Sequence, residues 1–433
     1  MKLSGWGRYP VIDSLPEFPV GDECVMKLIE AHGSGPLIGR GLGRSYGDSA
    51  LAPTAVHSAY LDYFRYFDKQ TGILRCAAGV SLASVLELIV PEGWFLPVTP
   101  GTKYVTVGGA VASDVHGKNH HIDGCFSEFV QSITIATANG IVECSKTSNA
   151  ELFCATCGGM GLTGFILEVE IRLKRISSSF IQATTIKTKN IAETVEALDI
   201  HRSATYSVAW IDCLSTGKGL GRSLIMLGEH ADDGGLQTGC KARLSVPFDV
   251  PGLFLNGVTM QAFNSVYYHR VTKAKSRSLV SYEPYFYPLD GVRNWNRLYG
   301  SDGFLQYQFV IPRKAGIEGL TVILNRLAAS KRGSFLAVLK LFGEENSNYL
   351  SFPMEGYTLA LDLKRSPEVF ALLDELDDVV VGLGGRIYLA KDARMSKSIF
   401  QASYPGWESF SQLRRQWGAD NIFNSIQSIR LGL

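Results

Sequence analysis

The sequence predicts an α+β fold divided between two domains, and three observations carry that prediction. The chain has 433 residues, which is too long for one ordinary hydrophobic core. Segments with the alternation of strands and segments with the spacing of helices follow one another along its length. A polar run at residues 175–179 separates an earlier group of these segments from a later one. We therefore expect a domain boundary near residue 178.

The earlier group mixes helices and strands. Its predicted helices span residues 24–32, 81–90 and 151–157. Its predicted strands span residues 73–78, 131–138, 141–144 and 165–173. Asn139-Gly140 is a strong hairpin turn between the second and third strands. The last strand alternates apolar and charged residues, so we expect it to be half-buried.

The later group predicts a sheet backed by helices. Its strand-like runs span residues 207–211, 304–310, 335–342 and 357–363. Helical spacing separates or follows these runs at residues 317–330 and 367–383.

Composition excludes several classes of protein. A net charge of +1 provides no field that would favour nucleic acid. No apolar window approaches the length of a membrane span, and the N-terminus lacks a signal-peptide pattern, so a cytoplasmic protein is expected. Eight cysteines without framework spacing are expected to be free thiols. His116, His120 and His121 share a loop, but without an accompanying carboxylate or thiolate pattern they predict no metal site.

Three glycine-rich stretches lie in the earlier region, at residues 39–48, 100–121 and 158–164. Glycines let a bare backbone bend sharply and present its N–H groups to an anion. Arg40 and Arg44 add charge suited to phosphate oxygens. Three such cradles suit a long, kinked ligand such as a dinucleotide, although neither a P-loop ending nor a Rossmann unit is present.

This pattern resembles the vanillyl-alcohol-oxidase-type flavoproteins, in which the FAD pyrophosphate lies on an arginine- and glycine-containing loop. In the covalent members a histidine precedes the serine of this loop and carries the flavin. Here Arg44 precedes Ser45. The resemblance therefore implies FAD bound without a covalent bond.

Several polar residues interrupt otherwise apolar strands of the later region. Gln306 and Gln308 are two apart, so both amides project from one face, where they suit a polyol or sugar; a solvent-facing surface is the alternative. Lys340 is a lone cation in an apolar strand and needs a carboxylate, a phosphate or water. Lys391 is followed by Asp392, and Lys118 lies beside the glycine-rich loop, so each is either functional or an ordinary charge.

Four blocks, at residues 116–121, 294–300, 303–312 and 388–392, resemble the decaprenylphosphoryl-β-D-ribose 2-oxidase family. The resemblance runs from about residue 37 to the C-terminus. It implies a vanillyl-alcohol-oxidase-like FAD-binding domain of residues 1–178 that is completed by residues 386–433. An antiparallel-sheet substrate domain of residues 179–385 is inserted between them.

The resemblance also implies site residues. The expected flavin contacts are Gly39, Arg40, Gly41, Leu42, Gly43, Arg44, Ser45, Tyr46, Gly47, Asp48, Ser49, Gly101, Thr106, Val107, Gly108, Gly109, Ser113, Asp114, Val115, His116, Ile166 and Tyr388. The expected substrate contacts are Lys118, Trp210, Gln306, Gln308, Lys340 and Ala360. Lys391 or a network centred on Tyr46 and His116 is the expected base.

The implied reaction is FAD-dependent oxidation of the 2-hydroxyl of a polyprenyl-phosphate-linked ribofuranose to the 2-keto sugar. It is the first half of an epimerisation to the arabinose form for cell-wall glycan synthesis. A partner NAD(P)H-dependent ketoreductase would complete it, a quinone is a candidate electron acceptor, and a peripheral membrane contact is left open. The alternatives are a soluble aldonolactone or alditol oxidase and a catalytically silent flavin-binding protein.

Three positions depart from the family pattern. Ala360 replaces a cysteine that certain covalent inhibitors capture, Thr358 replaces a nearby asparagine, and Phe286 stands where a pocket tyrosine is expected. All three are expected near the substrate, so they leave the identity of the sugar and the lipid open.

Overall fold

A computed structural model describes residues 1–33, 35–239, 244–250 and 256–433. Its strands are β1 Lys2–Ser4, β2 Val11–Asp13, β3 Leu15–Glu17, β4 Leu37–Arg40, β5 Thr54–His57, β6 Phe64–Asp68, β7 Ile73–Ala77, β8 Trp94–Phe95, β9 Val130–Thr137, β10 Gly140–Cys144, β11 Phe165–Arg172, β12 Lys174–Arg175, β13 Phe180–Thr188, β14 Tyr206–Ile211, β15 Ser223–His230, β16 Leu244–Ser245, β17 Lys275–Ser281, β18 Val292–Arg293, β19 Phe304–Pro312, β20 Ala337–Phe342, β21 Gly356–Lys364 and β22 Arg386–Ile387. Its α-helices are α1 Asp22–His32, α2 Leu82–Ile89, α3 Val107–Ala112, α4 His120–Asp123, α5 Ala150–Thr156, α6 Ile191–Ile200, α7 Gly257–His269, α8 Tyr282–Phe286, α9 Gly316–Ser330, α10 Pro367–Gly382, α11 Lys397–Ser403, α12 Trp407–Gln416 and α13 Ile426–Leu431.

The predicted helices and strands are confirmed to within a few residues at their ends. Side-chain caps explain several of the helix starts. The Ser81 hydroxyl accepts the Ser84 N–H at the start of α2, and Ser366 accepts the Val369 N–H ahead of Pro367 at the start of α10. Seven cysteines are free thiols, and Cys240 lies outside the described residues.

The N-terminal region holds two larger sheets besides the two-stranded pairs β1-β2 and β12-β8. Strands β3, β5 and β4 form a parallel sheet, and β10, β9, β11, β7 and β6 form an antiparallel one in that order. The expectation that residues 165–173 form a half-buried strand is wrong. Both faces of β11 are buried from Phe165 to Glu168. The Glu168 carboxylate can be buried because it pairs with Arg75 at 3.0 Å and also with Arg65.

The later region is built on one eight-stranded sheet in the order β17-β13-β15-β14-β20-β21-β19-β22. Every neighbouring pair is antiparallel. Helices α9 and α10 pack against this sheet, as predicted, and so does α6, which the sequence analysis did not identify. The opposite face turns toward the glycine-rich loops.

The C-terminal segment connects both regions. Strand β22 extends the eight-stranded sheet by pairing with β19. Beyond it, the buried guanidinium of Arg414 donates to the Leu162 carbonyl oxygen at 3.0 Å, and the Asn424 N–H donates to the Leu37 carbonyl oxygen at 3.0 Å. The tail therefore packs on the N-terminal region, while the expected boundaries after residues 178 and 385 remain predictions.

Two further properties concern the part of the chain that the structure describes. None of its helices combines the length and the apolar character needed to cross a bilayer. None of its groups of His, Cys, Asp and Glu side chains is arranged to hold a metal ion.

Candidate active site

One cavity of about 700 Å³ lies between the glycine-rich loops and the open face of the eight-stranded sheet. Its floor on the N-terminal side is formed by residues 39–46 and 99–102, together with parts of residues 105–116 and 160–166. The opposite wall is formed by side chains from β13, β14, β15, β17, β19, β20 and β21. The cavity therefore joins the two regions that the sequence separates.

The sheet wall brings together the residues that the sequence singled out in separate strands. Gln308 lies opposite Ala360, and Lys340 lies opposite Thr358, in the antiparallel register. Gln306 shares the face of Gln308, which confirms the predicted amide pair. The solvent-facing alternative is wrong, because Gln308 is only 5% exposed.

Both glutamines are held by side-chain hydrogen bonds. The Gln308 Nε2 atom donates to Thr358 Oγ1 at 3.2 Å and to His116 Nε2 at 3.0 Å. With Nε2 as acceptor, the His116 proton lies on Nδ1. Gln306 Nε2 donates to Asp362 Oδ1 at 2.5 Å. These bonds fix the amide planes before a ligand arrives.

Three lysines from distant parts of the chain line the same cavity. Burial lowers the pKa of Lys118 to about 7, of Lys340 to about 8 and of Lys391 to about 7. Lys118 donates to the Tyr285 carbonyl oxygen, and its ammonium lies 4.4 Å from the Tyr285 ring centroid. Lysines of this kind can bind a phosphate when charged and accept a proton when neutral.

Lys391 is placed by a turn that is fixed on two sides. The Asp392 carboxylate accepts the N–H groups of Arg394 and Met395 and pairs with Arg430 at 2.9 Å. Arg430 also pairs with Asp48 of the first glycine-rich loop at 2.8 Å. The turn is thereby tied to that loop, and the Lys391 ammonium lies 4.0 Å from the Tyr46 ring centroid.

Of the two expected catalytic groups besides Lys391, His116 is buried and Tyr46 is half-buried. Burial, followed by the charge of Lys340, lowers the pKa of His116 well below its usual value, so the imidazole is neutral. Burial and the charge of Asp362 raise the pKa of Tyr46 well above its usual value, so the phenol keeps its proton. Neither His116 nor Tyr46 is therefore placed to act as the base by itself; each would need a neighbouring group to take up the proton.

Comparison with known proteins agrees with this geometry. The FAD binding domain family model matches residues 24–145. Decaprenylphosphoryl-beta-D-ribose oxidase of Mycolicibacterium smegmatis is 36% identical over 100% of this chain and 97% of its own length. The chain belongs to the decaprenylphosphoryl-beta-D-ribose oxidase family.

More distant relatives cover less of the chain. An uncharacterised protein encoded in the mprA 5′ region of Streptomyces coelicolor is 30% identical over 82% of this chain and 100% of its own length. L-gulonolactone oxidase of Bos taurus is 29% identical over 36% of this chain and 35% of its own length. The chain is therefore an FAD-dependent oxidoreductase with a vanillyl-alcohol-oxidase-type fold, as the sequence predicted.

The cavity has the features that FAD needs. Ser49 Oγ and His116 Nδ1 line it as buried polar atoms without a hydrogen-bond partner in the described part of the chain. A Cβ atom on Gly41 would lie 2.4 Å from Thr106 Oγ1, so only glycine allows these two loops to approach so closely around the cleft. Loops 39–49 and 101–116 would therefore hold the cofactor between them.

Most of the expected flavin contacts line this cavity, but four do not. Val107 is packed in the core, and Gly47 backs onto the Asp392 carbonyl oxygen, where a Cβ atom would come within 1.9 Å. Asp48 faces Arg430. The Asp114 carboxylate is bonded to the Ser127 N–H and to the side chains of Asn346, Asn348 and Ser351. The structure gives these four residues contacts that shape the loops, not a place in the cavity wall.

Sequence reasoning missed other residues of the site. Asp362 contacts Gln306 from an otherwise apolar strand, and a carboxylate at such a position was a signal that could have been used. Tyr267 and Arg270 line the far end of the cavity from α7 and the residues after it. The sequence carried no comparable signal for them, because their place depends on how α7 packs over the sheet.

Proposed function

We propose that this protein oxidises the 2-hydroxyl of a polyprenyl-phosphate-linked ribofuranose to the 2-keto sugar. The observation that carries the proposal is the meeting of FAD-binding loops, a glutamine pair and three half-buried lysines in one cavity. The full-length relative named for decaprenylphosphoryl-ribose supports this class of substrate. The glutamines suit the ring hydroxyls, while Lys118 and Lys340 suit the phosphate.

The proton of the reacting hydroxyl goes to Lys391 in this proposal. Burial brings the pKa of its ammonium to about 7, so a substantial fraction is free amine at neutral pH. The hydroxyl O–H bond breaks, the amine becomes an ammonium, and the carbinol carbon loses hydride as its C=O bond forms. The chemistry that bound FAD supplies is acceptance of that hydride at N5. The neutral His116 and the protonated Tyr46 then act as hydrogen-bonding groups.

The far end of the cavity suits a prenyl chain. Trp210, Met226, Leu336 and Val338 line it, and the Tyr267 ring lies 4.6 Å from the Trp210 ring. Apolar walls of this kind bind a lipid through area removed from water. They have no evident use for a free aldonic acid lactone, which is small and polar.

Helix α7 continues this apolar end onto the surface, and we assign it a peripheral contact with an anionic membrane. Val258, Phe263 and Val266 are 78%, 47% and 72% exposed. Basic residues follow directly, at Arg270, Lys273, Lys275 and Arg277. An exposed apolar face flanked by cations suits an interfacial helix on the cytoplasmic leaflet.

The FAD is proposed to be held without a covalent bond, because Arg44 occupies the place of the tethering histidine. Its guanidinium lies 4.0 Å from the Trp6 ring centroid and offers no imidazole nitrogen to carry the flavin. Acid precipitation of the purified protein should leave the yellow colour in the supernatant. Flavin that remains in the pellet would show a covalent bond.

The 2-keto product needs a reductant to become the arabinose form. We propose a partner NAD(P)H-dependent ketoreductase that returns hydride to the opposite face of the carbon, for the synthesis of cell-wall arabinan. A quinone is the electron acceptor that suits a protein on a membrane surface. Adding the ketoreductase with NAD(P)H, or the quinone, to the oxidation reaction tests each of the two partners.

Anaerobic mixing with synthetic sugars tests the proposed reaction. Prenylphosphoryl ribose should bleach the visible flavin absorbance, whereas prenylphosphoryl 2-deoxyribose should not, because it lacks the hydroxyl to be oxidised. Bleaching by free gulonolactone but not by the lipid-linked sugar would support the soluble oxidase instead. Bound flavin that no sugar bleaches would support the silent flavin-binding protein.

A further inference from the structure

Asp362 is a buried carboxylate that contacts Gln306, a residue of the cavity wall. It lies opposite Gln306 in the antiparallel register, and its side chain has no exposed surface. One oxygen, Oδ1, accepts the Gln306 bond at 2.5 Å. The other, Oδ2, has no hydrogen-bond partner among the residues that the structure describes. A buried carboxylate that keeps one oxygen unpartnered is costly for folding, which points to a role besides stability.

The groups around Asp362 belong to the proposed reaction. Burial raises the pKa of Asp362 to about 7, while Gln306 and the charge of Lys391 oppose that rise. In return, the carboxylate raises the pKa of Lys391, against burial and the charge of Lys340. Burial, followed by the charge of Asp362, also raises the pKa of Tyr46 and of Tyr299 well above the usual value, so both phenols keep their protons.

We propose that Asp362 is a positioning residue, which holds Gln306 toward the sugar and stabilises the ammonium that Lys391 forms when it takes the hydroxyl proton. This inference rests on the proposed function. No proton is transferred to Asp362 itself: the hydroxyl O–H bond breaks, the Lys391 N–H bond forms, and the carboxylate offsets the new charge. Tyr46, whose ring lies beside the ammonium, completes the surroundings of that charge.

The variant Asp362→Asn tests the role of the charge, since its amide oxygen still accepts the Gln306 bond. The holoenzyme variant should keep its FAD, yet substrate should reduce the flavin about tenfold or more slowly. The rising limb of the rate against pH should move to lower pH, because Lys391 loses the carboxylate that raises its pKa. An unchanged rate and an unchanged pH profile would overturn the inference.

A second measurement needs no substrate, so it separates this inference from the proposed function. In holoenzyme with isotope-labelled lysine, the Lys391 signal is the one that Lys391→Arg removes. Its titration midpoint should fall in Asp362→Asn but not in Asp212→Asn, which removes a buried carboxylate of the same sheet that pairs with Arg222. A midpoint that does not move contradicts the inference.

The wild-type titration covers the case in which Asp362→Asn does not fold. Because two interacting groups titrate in the same range, the Lys391 signal should follow a two-step curve. A simple one-step curve would overturn the inference. If Lys391 titrates as expected and no lipid-linked ribose bleaches the flavin, the proposed substrate fails while the coupling between Asp362 and Lys391 stands.

Discussion

Lys391 reaches the cavity through contacts that the residues on either side of it make. The Tyr46 N–H donates to the Ala390 carbonyl oxygen at 3.0 Å, and Asp392 is bonded within its own turn. The backbone therefore holds Lys391 at a defined place, with its ammonium 4.0 Å from the Tyr46 ring centroid. Such an amine combines a fixed position with a pKa close to neutral.

Lys391→Ala should slow anaerobic flavin reduction by about 10²–10⁴, the usual effect of losing a general base. FAD should stay bound, because the cradle of glycine-rich loops is untouched. Stopped-flow absorbance measures the rate, and the flavin-to-protein ratio measures binding. Lys314→Ala, at an exposed position, serves as the control. A variant that reduces its flavin at the wild-type rate would remove Lys391 from the mechanism.

Ala360 determines how this protein should respond to covalent inhibitors. It lines the cavity opposite Gln308, and none of the seven cysteines in the described part of the chain shares that lining. Inhibitors that capture the family's cysteine should therefore bind only reversibly, whereas Ala360→Cys should gain an adduct. Intact-mass spectrometry after turnover measures both. An adduct on the unmodified protein would place a cysteine in the cavity and contradict the strand register.

At the scale of elements, short-range patterns decided what could be predicted. The alternation in β19 and β21 identifies which side chains share a face, because successive residues of a strand point to opposite sides. The glycine-rich loops were recognisable because few other functions need so many bare backbone positions. The fully covered β11 was not predictable, since arginines from β7 and from β6 neutralise and cover its Glu168.

Helix α7 leads to a prediction about membrane binding. Replacing Phe263 and Val266 by serine removes apolar area that would otherwise leave water, so binding to vesicles containing phosphatidylglycerol should weaken about tenfold. Cosedimentation measures the bound fraction, and added salt should lower it further. Val20→Ser with Ile200→Ser, at 70% and 65% exposed positions elsewhere, is the matched control. Equal loss in both double variants would contradict a specific role of α7.

At the scale of the whole molecule, the two regions meet through polar contacts as well as through the cavity. His120 begins α4 on the N-terminal side, and its Nδ1 accepts the Gly343 N–H at 3.2 Å from the loop after β20. Its ring lies 4.5 Å from the Phe342 ring. Burial, with smaller contributions from the charges of His121 and Lys340, lowers the pKa of His120 to about 3.

This burial predicts a pH dependence of folding. Below pH 6.5 the unfolded chain takes a proton at His120 that the folded chain refuses, so stability is present above that pH and is lost as the pH falls toward 3. The free energy of unfolding of wild type should therefore fall by about 1.4 kcal/mol per pH unit more than that of His120→Asn. Urea titrations measure it, with the exposed His269→Asn as control. Parallel curves for wild type and His120→Asn would contradict the prediction.

The sequence by itself determined the local chemistry of this protein: the glycine-rich cradles, the face shared by Gln306 and Gln308, and the missing histidine before Ser45. Each of these depends on residues close together in the chain. Only the tertiary structure decided that Lys118, Lys340 and Lys391 share one cavity, and that Asp114 turns away from it. Their charge states and contacts depend on how much water the folded neighbours exclude, and desolvation is a property of the whole fold.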